Sequence, residues 1–255
     1  MSQTFRQPEI LEIARSEGRV TVEDLAARFG VTPQTVRRDL TELAGAGKLE
    51  RVHGGAILPA GVTNIGYDDR RQIAAAAKAA IARAVARAIP DEASVFLGIG
   101  TSTEAVARAL LGHRNLLAVT NNMNVANILR DNPVCEVVVA GGSLRRSDGG
   151  LVGALTMRTI EQFKFDHAVL GCSALDADGD LLDYDIQEAG VNQTIIDRAR
   201  RAILVADATK LERTAPVRIA SLRDFRDLFT DRPLPDGLRE LCESWSTGIH
   251  LCPTG

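Results

Sequence analysis

Thr21-Val22-Glu23-Asp24-Leu25-Ala26-Ala27-Arg28-Phe29-Gly30-Val31-Thr32-Pro33-Gln34-Thr35-Val36-Arg37-Arg38-Asp39-Leu40 decides how the first part of the chain folds. Two helices meet in it at a tight turn. Thr21 caps the first with Asp24 near its third position, Gly30 supplies the flexible residue after it, and Thr32 caps the second with Pro33 in its first turn. Leu25, Phe29, Val36, Leu40 and Leu43 then face a small core shared with Ile10, Leu11 and Ala14 of an earlier helix. The opposite face of the second helix carries Gln34, Thr35, Arg37, Arg38 and Thr41, side chains that read base edges or hold phosphates. That is the layout of a recognition helix, with Thr32 at its start.

The stretch from Lys48 to Ile57 reads as two short strands around a turn, a wing that places Lys48, Arg51 and His53 against a nucleic-acid backbone. The expectation is a small winged helix-turn-helix domain that binds double-stranded DNA. The plainer alternative is a three-helix interaction module in which Arg37 and Arg38 are only a solvated face. Residues 1–60 hold eight Lys/Arg and eight Asp/Glu, so attraction to DNA has to come from local placement and not from bulk charge.

The chain has 255 residues, 45% hydrophobic and 25% charged, enough to bury a sizeable core. No run of about 18 apolar residues occurs, and Met1 to Pro8 lacks the layout of an export signal. A cytoplasmic protein without membrane contact is expected. Cys135, Cys172, Cys242 and Cys252 stand far apart, without zinc-site spacing, and read as reduced structural residues. No metal site or cofactor is expected. The net charge of −3 lacks the basic balance of many nucleic-acid binders.

Texture changes near Gly54-Gly55 and again over Asp68 to Pro90, which divides the chain into 1–58, a linker and connecting helix over 59–92, and 93–255. Ile73, Ala77, Ile81, Val85 and Ile89 give the connecting helix its apolar stripe. Beyond it, apolar runs at Ser94–Leu97, Leu116–Thr120, Glu136–Ala140, Ala168–Gly171 and Ala202–Ala206 alternate with helical stretches, the pattern of an α/β main domain on a parallel sheet. The first strand runs into Gly98-Ile99-Gly100-Thr101-Ser102-Thr103, a small hydroxyl-rich loop opening a helix from Thr103 to Leu111, which suits an anion. Thr120-Asn121-Asn122, Gly141-Gly142-Ser143-Leu144-Arg145 and Gly171-Cys172-Ser173 close later strands, at the end of the sheet where ligands of open α/β folds gather. Arg145 or Arg146 can clamp a phosphate, while Asn121, Asp183, Asp185 and Glu188 can accept from sugar hydroxyls.

Thr35-Val36-Arg37-Arg38-Asp39-Leu40, then Leu43 and Arg51-Val52-His53-Gly54-Gly55-Ala56, resemble the signature of the DeoR family of bacterial transcription regulators. The likeness runs through almost the whole chain, including Thr120 to Asn127, Ala140 to Arg145, Asp148-Gly149-Gly150 and Leu181 to Asp185. The resemblance implies a repressor of a carbohydrate or polyol catabolic operon, binding operator DNA as a dimer or tetramer. It further implies a second domain with the Rossmann-type sheet of ribose-5-phosphate isomerases and coenzyme A transferases. A sugar phosphate would bind among these strand-end loops, with Lys210 after the strand Ala202–Ala206 drawn into the same site. Glycerol 3-phosphate leads the candidates, and a bulkier aldose or ketose phosphate from opine or plant-sugar catabolism is the alternative. The chain departs from the family pattern at Gly98, where an aspartate is usual, at Asn192-Gln193, where a base is usual, and at Leu211-Glu212 in place of Phe-Gly. An isomerase-like enzyme is the rival reading, but Gly171 to Asp176 lacks clustered acids and Glu188 is followed by no lysine, so no catalytic residues are expected.

Overall fold

The computed structural model describes residues 3–17, 19–46, 48–52, 54–57 and 66–254, in two compact units, Met1–Gly61 and Val62–Gly255. In the first unit, α1 (Gln3–Glu17), β1 (Arg19–Thr21), α2 (Val22–Phe29), α3 (Pro33–Gly45), β2 (Glu50–Val52) and β3 (Gly55–Ile57) follow one another. The expected caps form: Thr21 accepts from the Asp24 amide at 3.1 Å, Thr32 accepts from the Thr35 amide at 3.3 Å, and Gly30 turns left-handed at φ 63°. Leu25, Val36, Leu40 and Leu43 are buried with Ile10, Leu11 and Ala14, and Phe29 packs against them half-buried. The wing gains a strand that patterning did not reveal, because β1 pairs antiparallel with β3 to give the order β1-β3-β2.

Two side-chain contacts between α1 and α3 stand out: Gln7 donates to Glu42 at 2.8 Å on the surface, and a buried ion pair lies beneath it. Arg6 donates from Nε and Nη2 to the two carboxylate oxygens of Asp39, at 2.6 and 3.2 Å, with the side chains only 7% and 1% exposed. A desolvated bidentate pair of this kind is costly to break from one side, because the surviving charge stays buried. Asp39→Ala is therefore expected to lower the stability of this unit by about 3 kcal/mol. Chemical denaturation of the full chain checks this, and an unchanged first transition would sink it.

The second unit begins with α4 (Tyr67–Gln72) and α5 (Ala75–Ala88), then runs β4 (Ser94–Leu97), α6 (Thr101–Ala109), β5 (Leu117–Thr120), α7 (Met123–Leu129), β6 (Glu136–Val139), β7 (Ser143–Arg145), β8 (Gly150–Val152), α8 (Ala154–Ile160) and β9 (Phe165–Leu170). It continues through β10 (Ala174–Leu175), β11 (Asp180–Asp183), α9 (Ile186–Arg198), β12 (Ala199–Val205), β13 (Val217–Ser221), β14 (Asp227–Thr230), α10 (Asp236–Trp245) and β15 (Gly248–Leu251). The expected connecting helix is two helices, broken where Ala74 takes a left-handed φ of 51°. It is also no free connector: Ile73, Ala77, Ile81, Val85 and Ile89 are all buried, most of them in one face of the main core.

Seven parallel strands form the main sheet in the order β15-β14-β12-β9-β4-β5-β6. Along β4 the side chains alternate, Val95 and Leu97 toward the layer of α5, α6 and α7, and Phe96 toward the layer of α8, α9 and α10. Both faces are thus covered, which is why these strands read as continuous apolar runs. From β4 the chain moves outward to β5 and β6, then returns and builds the other half from β9. The strand order reverses between β4 and β9, and a crevice forms beyond the carboxyl ends of strands at such a point. Among the described residues, no helix is long and apolar enough to cross a membrane.

Candidate effector crevice and nucleic-acid face

Helix α3 presents outward the polar and basic side chains expected of it. Val36, Asp39 and Leu40 face inward, while Gln34, Arg37, Arg38 and Thr41 are exposed and Thr35 is half-buried. Arg38 is steadied by Glu42 one turn on, at 3.2 Å, and Thr41 bonds the Arg37 carbonyl. The Arg37 guanidinium has no protein partner among the described residues. Thr32 and Thr35 share a 2.9 Å hydroxyl contact at the helix start, so Thr32 serves first as a cap. Lys48 and Arg51 are exposed beside the wing. His53 lies outside the described residues.

At the switch point of the sheet, a small crevice is lined by Gly100, Thr101 and Ser102 after β4, Gly171, Cys172 and Ser173 after β9, Asp183 from β11, Glu188 from α9, Lys210 after β12, and Arg70 from α4. In α6 the first helical bond runs from the Glu104 amide to the Gly100 carbonyl, which leaves the amides of Thr101, Ser102 and Thr103 without intrahelical acceptors. These amides and the helix dipole favour negative charge there. Lys210 is 8% exposed; its amide bonds the Asp207 carbonyl, while its ammonium makes no hydrogen bond or ion pair among the described residues. Burial pushes its ammonium below the ordinary lysine range, against the pull of Asp207. One oxygen of Asp207 is itself buried without a partner, while the other caps the turn Ala208–Lys210. The crevice therefore sets an unpaired ammonium against a helix start with free amides, an arrangement whose charge suits a small anion.

Seven of the expected effector residues line the crevice: Gly100, Thr101, Ser102, Ser173, Asp183, Glu188 and Lys210. The rest are engaged elsewhere. Thr103 is fully buried, and its hydroxyl donates to the carbonyls of Gly98 and Gly100, both at 2.7 Å, so it braces the loop. Thr120 likewise donates to the Leu97 carbonyl at 2.6 Å. Asn121 is buried and bonds the Leu151 carbonyl, while Asn122 caps α7. Gly141 and Gly142 lead into the β7–β8 hairpin, the former anchored by the Thr156 hydroxyl.

Arg145, expected to clamp a phosphate, is instead the hub of an ion cluster. Its guanidinium bonds both oxygens of Asp148, at 2.9 and 2.8 Å, Asp185 at 2.7 Å, and Glu188. Every donor nitrogen is spent on carboxylates. Asp185 correspondingly caps α9 and holds Arg145. Burial, reinforced by Asp183, pushes Glu188 up to about 7 in spite of Arg145. Burial also pushes the Cys172 thiol up to about 12, so it stays an unreactive neutral wall.

Sequence reading missed Arg70, Lys78 and Arg213. Lys78 is buried on α5 and donates to the carbonyls of Arg70 and Ile73, and burial lowers its ammonium to about 8. Arg213 adds positive charge near Lys210 and is itself pushed down by burial. A buried lysine in an alanine-rich helix is a signal that was available; nothing local marks Arg70.

A winged helix-turn-helix followed by a doubly covered parallel sheet with an anion-receptive crevice defines a helix-turn-helix regulator carrying a sensor domain. The chain belongs to the DeoR family: residues 6–61 match the DeoR-like helix-turn-helix domain and residues 73–232 the DeoR C terminal sensor domain. It is 45% identical to the glycerol-3-phosphate regulon repressor of Haemophilus influenzae over 99% of this chain and 98% of that one. With the repressor of the same name from Escherichia coli it shares 41% identity over 99% and 100%. Among solved structures, ribose 5 phosphate isomerase A from Neisseria gonorrhoeae aligns over 52% of each chain with a TM-score of 0.38 and 13% identity.

Proposed function

We propose that the protein represses a carbohydrate or polyol catabolic operon and is released from its operator by a phosphorylated effector, glycerol 3-phosphate first. The observation that carries the effector half is Lys210, a buried cation with no hydrogen bond or ion pair to its ammonium among the described residues, lining the crevice with the start of α6. The full-length relatives named for the glycerol-3-phosphate regulon support the choice of ligand. Glu188 favours sensing over catalysis, since the carboxylate best placed to act as a base is tied to Arg145. The protein then acts as a homo-oligomer, with paired recognition helices in successive major grooves about one helical turn apart. For the effector to release DNA it binds the DNA-incompetent arrangement more tightly, by on the order of 5 kcal/mol for a near-complete switch.

The experiment is selection of genomic fragments by the full chain, followed by release of the best fragment with glycerol 3-phosphate. Arg37→Ala is expected to weaken that fragment's binding by roughly 1 to 3 kcal/mol, as loss of a base contact does. Undiminished binding would remove α3 as the reader. Release by no sugar or polyol phosphate would overturn the effector half.

A further inference from the structure

Arg70 stands apart from the other charges of the crevice. It comes from α4, the first described element of the second unit, and its Nε is buried with no partner among the described residues. Its one ion pair among the described residues is to Asp148, from Nη2 at 3.4 Å. Asp148 does not depend on it: Arg145 already bonds both of its oxygens at 2.9 and 2.8 Å, and the Gly150 amide adds a third bond. Arg70 is thus a weakly committed cation on the crevice wall. Its backbone is committed in the opposite sense. The Arg70 carbonyl accepts from the buried Lys78 ammonium and from Thr101, the first residue of the anion-receptive helix.

Resting on the reading of the crevice as a phosphate-ester site, we propose that Arg70 is an effector-contacting residue whose guanidinium leaves Asp148 for the bound anion, so that α4 registers occupancy of the crevice. A guanidinium held at 3.4 Å by an already satisfied carboxylate gains two charge-assisted bonds by turning to a dianion. Asp148 loses little, because Arg145 remains. Since the same residue bonds Thr101 through its backbone and the ligand through its side chain, ordering of the loop and tightening of α4 are one event. Differential contact of this kind is what lets a ligand bias one arrangement over another. Residues 67–78 then carry the state of the crevice to the end of the unit that continues into the first sixty residues.

The test uses the full chain with glycerol 3-phosphate, inorganic phosphate and, as the neutral control, glycerol. Affinity is read by calorimetry, and backbone hydrogen exchange is followed over residues 67–78. Wild type is expected to bind both phosphate probes, not glycerol, and to gain protection over 67–78. Arg70→Gln is expected to weaken both phosphates by roughly tenfold or more and to lose the added protection, with Arg70→Lys intermediate. Tyr67→Phe unclips α4 from Glu104, a 2.7 Å bond, yet leaves Arg70 in place, and is expected to bind within about threefold of wild type. Equal weakening by Tyr67→Phe and Arg70→Gln would overturn direct contact, since loss of α4 docking would explain both. Normal binding by Arg70→Gln alongside failure of Lys210→Met would overturn the role of Arg70 and leave the crevice reading standing. Failure of wild type to bind either phosphate would overturn that reading, and this proposal with it.

Discussion

Gly55→Ala is expected to abolish operator binding by unfolding the wing, while the second unit keeps its own unfolding transition. A Cβ at Gly55 would lie 1.9 Å from the Val20 carbonyl oxygen and about 3 Å from the Val20 carbonyl carbon and the Thr21 Cα, all backbone atoms. No side-chain rotation relieves such a contact. Gly55 is also the residue of β3 that pairs with Thr21 on one side and Val52 on the other, so moving it separates both neighbours. The adjacent Val22 amide, bonded to the Gly54 carbonyl at 2.9 Å, pins the start of α2 to the same place. Opening this sheet exposes Val20, Leu49 and Ala56 of a small core, and substitutions of this kind fall in the tail above about 4 kcal/mol. Calorimetry of the full chain with fragment binding checks it. A variant with both transitions and wild-type DNA affinity would show that β1 and β3 separate without cost.

Lys210→Met is expected to leave DNA binding intact and to remove the response to glycerol 3-phosphate. The ammonium is buried, bonded to nothing among the described residues, and faces Thr101 and Ser102 across the crevice. A largely buried ammonium on a crevice wall is poorly screened, and truncating one partner of such a charge pair costs about 2 kcal/mol or more, roughly thirtyfold in affinity. Methionine keeps the length of the side chain and removes the charge. Asp207 loses its nearest cation but keeps its bonds from Thr209, so a fall of a few degrees in Tm is expected and not unfolding. Calorimetric titration with glycerol 3-phosphate, paired with release of the bound fragment, reads both effects. Undiminished affinity would place the anion elsewhere.

How much of this was legible depended on how local each cause is. The two caps at Thr21 and Thr32, the Gly30 turn and the apolar spacing of α2 and α3 all act within a few residues, and the first unit could be read from them. Five strands of the main sheet were visible as apolar runs; four are interior strands largely buried on both faces, while β6, at the edge and half exposed, keeps its Val-Val-Val run. β14 and β15 escaped, since Asp-Leu-Phe-Thr and Gly-Ile-His-Leu are short, polar at an end and stabilised by their neighbours in the sheet. In the crevice, the loops after β4 and β9 and the lysine after β12 follow from the rule that strand ends meet at a reversal of strand order. Arg145 was misread for the complementary reason: its partners at 148, 185 and 188 are brought to it by a hairpin and a helix start, which a glycine-rich loop does not announce. Thr103 and Thr120 look like ligand hydroxyls on paper, and only the fold shows that nearby carbonyls take them. Arg70 lies on no strand end at all, and reaches the crevice because α4 folds back over it.

The Arg6–Asp39 pair divides three adjacent positions of α3 between two kinds of selection. Asp39 points inward and answers to the first helix, while Arg37 and Arg38 point outward, and nothing in the core depends on them. On the proposed reading of α3, exchange at 37 and 38 is expected to redirect the protein to a different operator without taxing the fold, while 39 is held fixed by its partner thirty-three residues away. A duplicated copy of this gene could drift toward new target genes through two neighbouring codons, with the codon beside them keeping the helix in place.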